Sequence, residues 1–107
     1  MNHAWAALLA AGLFEIGWPI GLKQGYTDQG LHWGRIAFGC ICIGVSGTLL
    51  FYAQKTIPIG TAYAVWTGIG AAGTFIVGVT IYGDAASALR MVPVLLIIVG
   101  VVGLKLA

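Results

Sequence analysis

The stretch Gly12-Leu13-Phe14-Glu15-Ile16-Gly17-Trp18-Pro19 lies in the middle of an apolar run from Ala4 to Leu22, and Glu15 is the only charged residue in that run. A carboxylate at the centre of a bilayer costs roughly 2.5–3.5 kcal/mol on insertion scales. Because packing alone does not repay that cost, Glu15 is predicted to be the functional site. The other apolar segments are predicted to form the walls around it.

The composition is that of an integral membrane protein. Hydrophobic residues make up 60% of the 107 residues and charged residues only 7%, whereas soluble domains carry about a quarter charged residues. The net charge of +2 is too small and too scattered for a nucleic-acid interface. The sequence has no nucleophile–base pair and no metal-ligand spacing, so it predicts neither an enzyme nor a cofactor or metal site.

Four segments have the roughly 20 apolar residues that a membrane-spanning helix needs. They are predicted at about 3–22, 34–53, 59–82 and 87–104, and together they form a single four-helix domain over residues 1–107. Membrane strands would alternate polar and apolar residues, and these segments do not. The prediction is therefore an all-α, multi-pass protein of the cell inner (plasma) membrane.

The positive charges give no clear orientation in the membrane. With four spans, the face that holds both termini carries Lys55 and Lys105, and the opposite face carries Lys23, Arg35 and Arg90. Orientation normally follows an excess of Lys and Arg on the cytoplasmic side. Either the chain inserts both ways and pairs as an antiparallel dimer, or a small difference or a partner chain fixes one orientation.

The residues around Glu15 have a helical spacing. Gly12, Glu15 and Trp18 recur every three residues and lie roughly on one stripe, so Gly12 would clear space beside the carboxylate. Pro19 has no N–H, so the carbonyl of Glu15, four residues earlier, loses its helix partner. The result is either a free carbonyl beside the carboxylate or a tolerated kink.

The third span carries a second group of polar and aromatic residues. Tyr63 and Trp66 are three residues apart on one face, and Thr67 lies beside Tyr63 at a spacing of four. Buried Tyr and Trp side chains usually need hydrogen-bond partners, and an acid on another helix is such a partner. A polar pocket and simple aromatic packing both fit this pattern. Gly68 and Gly70 mark a candidate flexible point.

The segments Glu15–Trp18, Lys55–Gly70 and Gly103–Lys105, with Lys23, resemble the small multidrug resistance family and, within it, the guanidinium exporter subtype. The resemblance covers essentially the whole chain, and the motif in the third span is long and specific. Trp18 and the Thr61/Thr67 pattern favour this subtype over the quaternary-ammonium branch, which has small residues in place of the tryptophan.

The resemblance implies a proton-coupled antiporter that works as an antiparallel, dual-topology dimer. Glu15 would bind both the proton and the substrate, surrounded by Trp18, Ser46, Tyr63 and Trp66. Ser46 would hydrogen-bond Glu15, and Tyr63 would couple the carboxylates of the two subunits. Some members of the family work as heterodimers of two related chains, so either kind of dimer is open.

The resemblance also assigns roles to glycines of the third and fourth spans. Gly68 and Gly70 would let the third helix bend differently in the two subunits, and the fourth helices would pair to hold the dimer. Small residues such as Gly100 form a contact patch suited to that pairing.

The chemistry of the expected substrate agrees with a carboxylate site. Guanidinium is planar, always charged at physiological pH, and its N–H groups fit a carboxylate two at a time. Protons and cations would then compete for one pair of Glu15 carboxylates. This competition suffices for exchange if the empty charged site does not readily reorient.

Three positions depart from the subtype's pattern. Pro19 stands where a small residue is usual, Gly17 stands for a larger residue, and Asp84 follows Gly83 where a glutamate is expected. Pro19 and Gly17 flank the site, so they are predicted to widen it toward substituted guanidines such as biguanides.

Other functions fit parts of the pattern. A quaternary-ammonium multidrug exporter would share the mechanism and differ in substrate. A passive cation or proton channel could also use an acid within the membrane. A structural or assembly subunit without transport would leave the cost of burying Glu15 unexplained.

Overall fold

The computed structural model describes residues 2–107 as four long helices with short connections. A two-stranded antiparallel hairpin lies between the first two helices. In chain order the elements are α1 (His3–Gly25), β1 (Tyr26–Thr27), β2 (Gly30–Leu31), α2 (Trp33–Ala53), α3 (Ile59–Thr80) and α4 (Ala88–Leu106). All four helices are long and apolar enough to cross a membrane, which confirms the prediction of four membrane-spanning helices.

The first helix extends further than its apolar run. α1 continues through Lys23 to Gly25, three residues beyond the predicted end of the span. The connection that follows is not irregular, because Tyr26 pairs with Leu31 in the hairpin. Gly30 adopts a φ of 103°, a backbone conformation that residues other than glycine rarely adopt. The hairpin adds a small strand element to a chain predicted to be all-α.

Helix α1 is the centre of the bundle. It packs against α2 along one side and α3 along another, whereas α2 and α3 contact each other little. The backbones of α1 and α2 approach closely at Gly21 and Gly39, where a Cβ on Gly21 would lie 2.8 Å from the Gly39 amide nitrogen. Such close approach needs small residues, because lipid provides no hydrophobic drive for helix association.

The apolar core lies at the end of the bundle that holds the N-terminus of α1. There Leu8 of α1 and Val65 of α3 are fully buried in one apolar cluster. The core consists of Ala4, Leu8, Ala53, Ile57, Ala62 and Val65. This tight packing fixes α1 against α3 on one side of Glu15.

Helix α4 packs mainly on α3 and buries none of its own residues. Gly100 lies exposed on its surface, with no atom within 4 Å of the position a Cβ would take. The apolar faces of α4 are therefore open to lipid or to another chain. Helix α3 runs without interruption through Gly68 and Gly70, and the bend at these glycines stays a prediction.

Candidate functional site

Glu15 lies at the interface between α1 and α3, where it is partly buried. Its side chain crosses α3 at Gly70, and a Cβ placed on Gly70 would collide with Cγ of Glu15. The contacts on either side follow the same order along both helices, with Gly12 against Ile69 and Ile16 against Gly73. Gly70 therefore leaves the space that the Glu15 side chain occupies.

Trp18 stands one turn beyond Glu15 on the same helix. Its indole N–H donates a hydrogen bond to Oε1 of Glu15. The i, i+3 spacing read from the sequence thus brings the predicted pair into direct contact.

A cavity of about 430 Å³ opens beside this pair, between α1 and α3. We call it the Glu15 cavity, and it is lined by Glu15, Trp18, Pro19, Tyr63, Trp66, Thr67, Gly70, Ala71 and Thr74. It combines one carboxylate with three aromatic side chains and the hydroxyl groups of two threonines. Such a mixture of apolar walls and a few polar groups is typical of small-molecule sites.

The aromatic pair of α3 forms one wall of the Glu15 cavity. The rings of Tyr63 and Trp66 lie 5.5 Å apart between centroids and are tilted by 51°. Trp66 is held by the hydroxyl of Ser46, whereas Tyr63 is 56% exposed in the single chain. The ring of Tyr63 therefore lies largely open at the surface of the single chain.

Ser46 is the predicted site residue whose hydrogen bonding differs most from expectation. The structure contradicts a bond to Glu15: the hydroxyl donates to the carbonyl oxygen of Ala11 at 2.8 Å and accepts from Nε1 of Trp66 at 2.8 Å. A serine has one proton to donate, and here the Ala11 carbonyl receives it. Ser46 is fully buried, so it orients Trp66 from behind and does not line the cavity.

Gly12 and Gly17 face neighbouring helices and not the Glu15 cavity. A Cβ on Gly12 would lie 2.7 Å from the side chain of Ile69. Gly12 therefore allows α3 to pack closely on α1 and does not clear space for a ligand. A Cβ on Gly17 would lie 2.7 Å from Sγ of Cys42, on the side of α2. The prediction that Gly17 widens the site is therefore wrong, whereas Pro19 does line the cavity.

A second groove, of about 540 Å³, lies on a neighbouring face of α3, against α4. This α3–α4 groove is lined by Ala64, Thr67, Gly68, Ala71, Ile97, Gly100, Val101 and Leu104. A Cβ on Gly68 would lie 2.6 Å from Val101, so Gly68 lets α4 pack on α3. Gly68 and Gly70, predicted as one hinge, thus serve two different interfaces in this conformation.

A smaller outer cavity, of about 130 Å³, lies one helical turn beyond the Glu15 cavity. It is lined by Pro19, Ile20, Lys23, Thr74, Val77, Gly78, Tyr82 and Asp84. Nζ of Lys23 lies 5.1 Å from the centre of the Tyr82 ring, and the Tyr82 hydroxyl accepts a hydrogen bond from Gln24 at 2.9 Å. Pro19 and Thr74 line both cavities and so form the boundary between them.

Comparison with known proteins identifies the family. The family described as Small Multidrug Resistance protein matches residues 3–97. The chain belongs to the small multidrug resistance family. A protein named guanidinium exporter from Yersinia pseudotuberculosis is 47% identical over 97% of this chain and 98% of its own length. A guanidinium exporter from Citrobacter freundii is 42% identical over 97% of both chains.

Membership of the small multidrug resistance family confirms the resemblance inferred from the motifs. With four helices able to span a membrane, it makes this a multi-pass membrane protein, consistent with the inner membrane of a bacterium. Within residues 2–107, no three His, Cys, Asp or Glu side chains lie close enough together to hold a metal ion.

Sequence reasoning missed Thr74, and it assigned Gly70 only to a hinge. The available signal was spacing: Thr74 lies four residues after Gly70, on the same face of α3. That spacing becomes informative only when Glu15 is known to pack on Gly70, which is a contact between helices.

Proposed function

We propose that this protein is a proton-coupled antiporter that exports guanidinium, with the proton and the cation competing for Glu15. The single observation that carries the proposal is the accessible Glu15 carboxylate at the edge of an aromatic cavity inside a membrane-spanning bundle. The names of its relatives, which are guanidinium exporters over nearly the whole chain, support the choice of substrate.

The groups of the Glu15 cavity suit a planar cation. A carboxylate offers about four lone-pair positions, so Glu15 can accept the Trp18 indole N–H and still take two N–H groups of guanidinium. Trp18, Tyr63 and Trp66 line the same cavity, and their rings can add cation–π attraction to a bound cation. Protonation of Glu15 removes the negative charge that binds the cation, so one occupant excludes the other.

Exchange follows from this competition. If the charged, empty carboxylate does not reorient across the membrane, each transition carries either a proton or a cation. A proton gradient then drives cation export.

We further propose that two copies pair in antiparallel orientation and bring their Glu15 side chains together. Three features support this: the balanced positive charges on the two faces, the unburied helix α4 with Gly100 exposed, and the exposed ring of Tyr63. In that dimer Gly68 and Gly70 would allow α3 to bend differently in the two copies. A related chain in place of the second copy would satisfy the same features.

Substituted guanidines such as biguanides are proposed as further substrates. Pro19 lines the Glu15 cavity at the boundary with the outer cavity, so it can shape the space beyond the carboxylate. Since Gly17 faces α2, this part of the proposal depends on Pro19 alone.

The volume and aromatic walls of the Glu15 cavity also favour a second candidate, a quaternary-ammonium exporter with the same coupling. Such cations have no N–H groups, so they would gain from the aromatic rings but not from paired hydrogen bonds to the carboxylate.

The test is transport by the purified protein in proteoliposomes under an imposed pH gradient. Liposomes with the wild-type protein should take up guanidinium in exchange for protons that leave down the imposed gradient. Glu15→Gln should reduce this uptake to the level of empty liposomes. Flux without counter-movement of protons would indicate a channel. Preference for tetraethylammonium over guanidinium would favour the second candidate, and uptake that survives in Glu15→Gln would overturn the mechanism.

A further inference from the structure

The hydroxyl groups of the membrane-spanning threonines fall into two classes. Thr48, Thr67 and Thr80 each donate to the backbone carbonyl four residues earlier, which is the usual way to satisfy a hydroxyl in a helix. Thr61, in the first turn of α3, and Thr74, the sixteenth residue of this 22-residue helix, make no such bond in the described part of the chain. Thr61 lies at the end of the helix, whereas Thr74 lies well inside the span. A hydroxyl at membrane depth without a partner is costly, because lipid offers it no hydrogen bond.

The Thr74 hydroxyl is accessible from a cavity. Thr74 lines both the Glu15 cavity and the outer cavity. Within residues 2–107, every side-chain oxygen or nitrogen that is buried away from solvent has a hydrogen-bond partner. The Thr74 oxygen has none in this range, so it is not one of these buried atoms. The oxygen of Thr74 is therefore open to whatever fills the cavities.

The position of Thr74 relative to Glu15 is set by the packing of α1 on α3. Glu15 rests on Gly70, and Thr74 follows Gly70 by one turn, about 6 Å along the helix axis. On α1, Pro19 follows Glu15 by the same number of residues, and Pro19 and Thr74 line the same boundary. A ligand held by Glu15 that points toward the outer cavity would meet Thr74.

The boundary between the two cavities offers acceptors and lacks a backbone donor from α1. Pro19 has no N–H, so the carbonyl of Glu15 lacks its normal helix partner. The Thr74 oxygen is a second acceptor. Guanidinium carries N–H donors on all three of its edges, and a carboxylate satisfies only one edge. The remaining donors need acceptors of this kind.

We infer that the Thr74 hydroxyl accepts hydrogen bonds from the N–H groups of the cation that face away from Glu15, and so selects guanidinium-type cations over quaternary ammonium. This inference rests on the proposed function and assigns Thr74 as a further substrate-contacting, specificity-determining residue. Thr74 acts on the cation and not on the proton, because it contacts neither Glu15 nor Trp18 through a hydrogen bond in the described residues.

The experiment compares binding of guanidinium and tetraethylammonium to purified wild type, Thr74→Val, Thr74→Ser and Thr80→Val, followed by tryptophan fluorescence. Valine has nearly the same shape as threonine but carries a methyl group in place of the hydroxyl. Serine keeps the hydroxyl. Thr80 lines neither cavity and donates to Ile76, so Thr80→Val controls for loss of a threonine in α3.

The inference predicts that Thr74→Val weakens guanidinium binding about tenfold, as expected for loss of one hydrogen bond to a charged ligand. Tetraethylammonium binding should stay within about twofold of wild type, because that cation has no N–H. Thr74→Ser should bind guanidinium within about threefold of wild type, and Thr80→Val should match wild type. The pH dependence of binding should keep its midpoint in Thr74→Val.

Unchanged guanidinium binding in Thr74→Val would overturn the inference and leave the proposed function standing. Equal losses for both cations, or no recovery in Thr74→Ser, would assign Thr74 a structural role and overturn it as well. Absence of guanidinium binding in the wild type would overturn the proposed function, and this inference with it.

Discussion

Two neighbouring faces of α3 carry cavities of similar size and opposite character. The Glu15 cavity measures about 430 Å³ and the α3–α4 groove about 540 Å³, and Thr67 and Ala71 line both. The first holds a carboxylate and three aromatic rings, whereas the rest of the second is aliphatic. Volume alone therefore does not identify the site. The costly burial of one charge distinguishes the Glu15 cavity from the α3–α4 groove, because nothing in the packing of α1 requires that charge.

The two glycines of the predicted hinge separate these regions. Gly70 faces Glu15, and Gly68, two residues earlier, faces Val101 of α4. Glycine at either position allows a close approach, but only the approach at Gly70 positions the carboxylate. Substitutions at these positions therefore distinguish a site from a packing surface on the same helix.

The largest effect is expected for Gly70→Ala. A Cβ there collides with the Glu15 side chain, and overpacking of this kind costs about 1–3 kcal/mol, so guanidinium binding should fall by up to about 100-fold. Binding measured by tryptophan fluorescence on purified protein checks this prediction.

The matched variant is Gly68→Ala, which should keep guanidinium binding within about threefold of wild type while lowering thermal stability. Gly60→Ala, where nothing lies within 4 Å, should change neither. Similar losses of binding in Gly68→Ala and Gly70→Ala would show that both glycines act through the bend of α3 and not through separate contacts.

The next effect is expected for Ser46→Ala. It leaves the Trp66 indole N–H without its partner and removes the bond from the serine hydroxyl to the Ala11 carbonyl, which costs about 1–3 kcal/mol of stability. Guanidinium binding should weaken severalfold, because Trp66 loses its orientation. Thermal unfolding of Ser46→Ala, Trp66→Phe and the double variant measures the coupling. Strictly additive losses would contradict a direct Ser46–Trp66 interaction.

A smaller effect is expected for Pro19→Ala. Alanine restores an N–H to α1, so the carbonyl of Glu15 regains its helix partner and is no longer a free acceptor at the boundary of the Glu15 cavity. Transport of a biguanide should fall about threefold relative to transport of guanidinium, measured in parallel in proteoliposomes. A biguanide-to-guanidinium ratio equal to that of the wild type would refute a role for Pro19 in substrate range.

The smallest effect on function is expected for Val101→Ala in the α3–α4 groove. Val101 contacts the position of Gly68 and packs against the core, so its truncation should lower stability by about 1 kcal/mol. Guanidinium binding should be unchanged. A loss of binding comparable to that of Gly70→Ala would mean that the α3–α4 groove takes part in the site.

The sequence predicted the spans and drew attention to the central acid because both signals are strong and local. Long apolar runs are set by the thickness of the bilayer, and a single charge within one of them stands out. The i, i+3 spacing placed Trp18 on Glu15 correctly, since both residues belong to one helix. The ends of the helices were less predictable, because α1 continues through polar residues to Gly25 and into a hairpin.

Contacts between helices could not be read from spacing. Ser46 was expected to bond Glu15 and instead serves Trp66 and Ala11, because the rotation of α2 against α1 decides which group it meets. The same rotation turns Gly17 toward Cys42 and away from the cavity. Thr74 acquires its position only once Glu15 lies on Gly70. Patterns within a helix predict which residues share a face, but not which neighbour that face meets.

The central claim is that guanidinium and a proton compete for Glu15. The most direct measurement adds guanidinium to the purified protein in weakly buffered solution, over a series of starting pH values, and records the protons released. The account predicts proton release from the wild type wherever Glu15 holds its proton, and none from Glu15→Gln. Guanidinium binding to the wild type without proton release at any starting pH would contradict it.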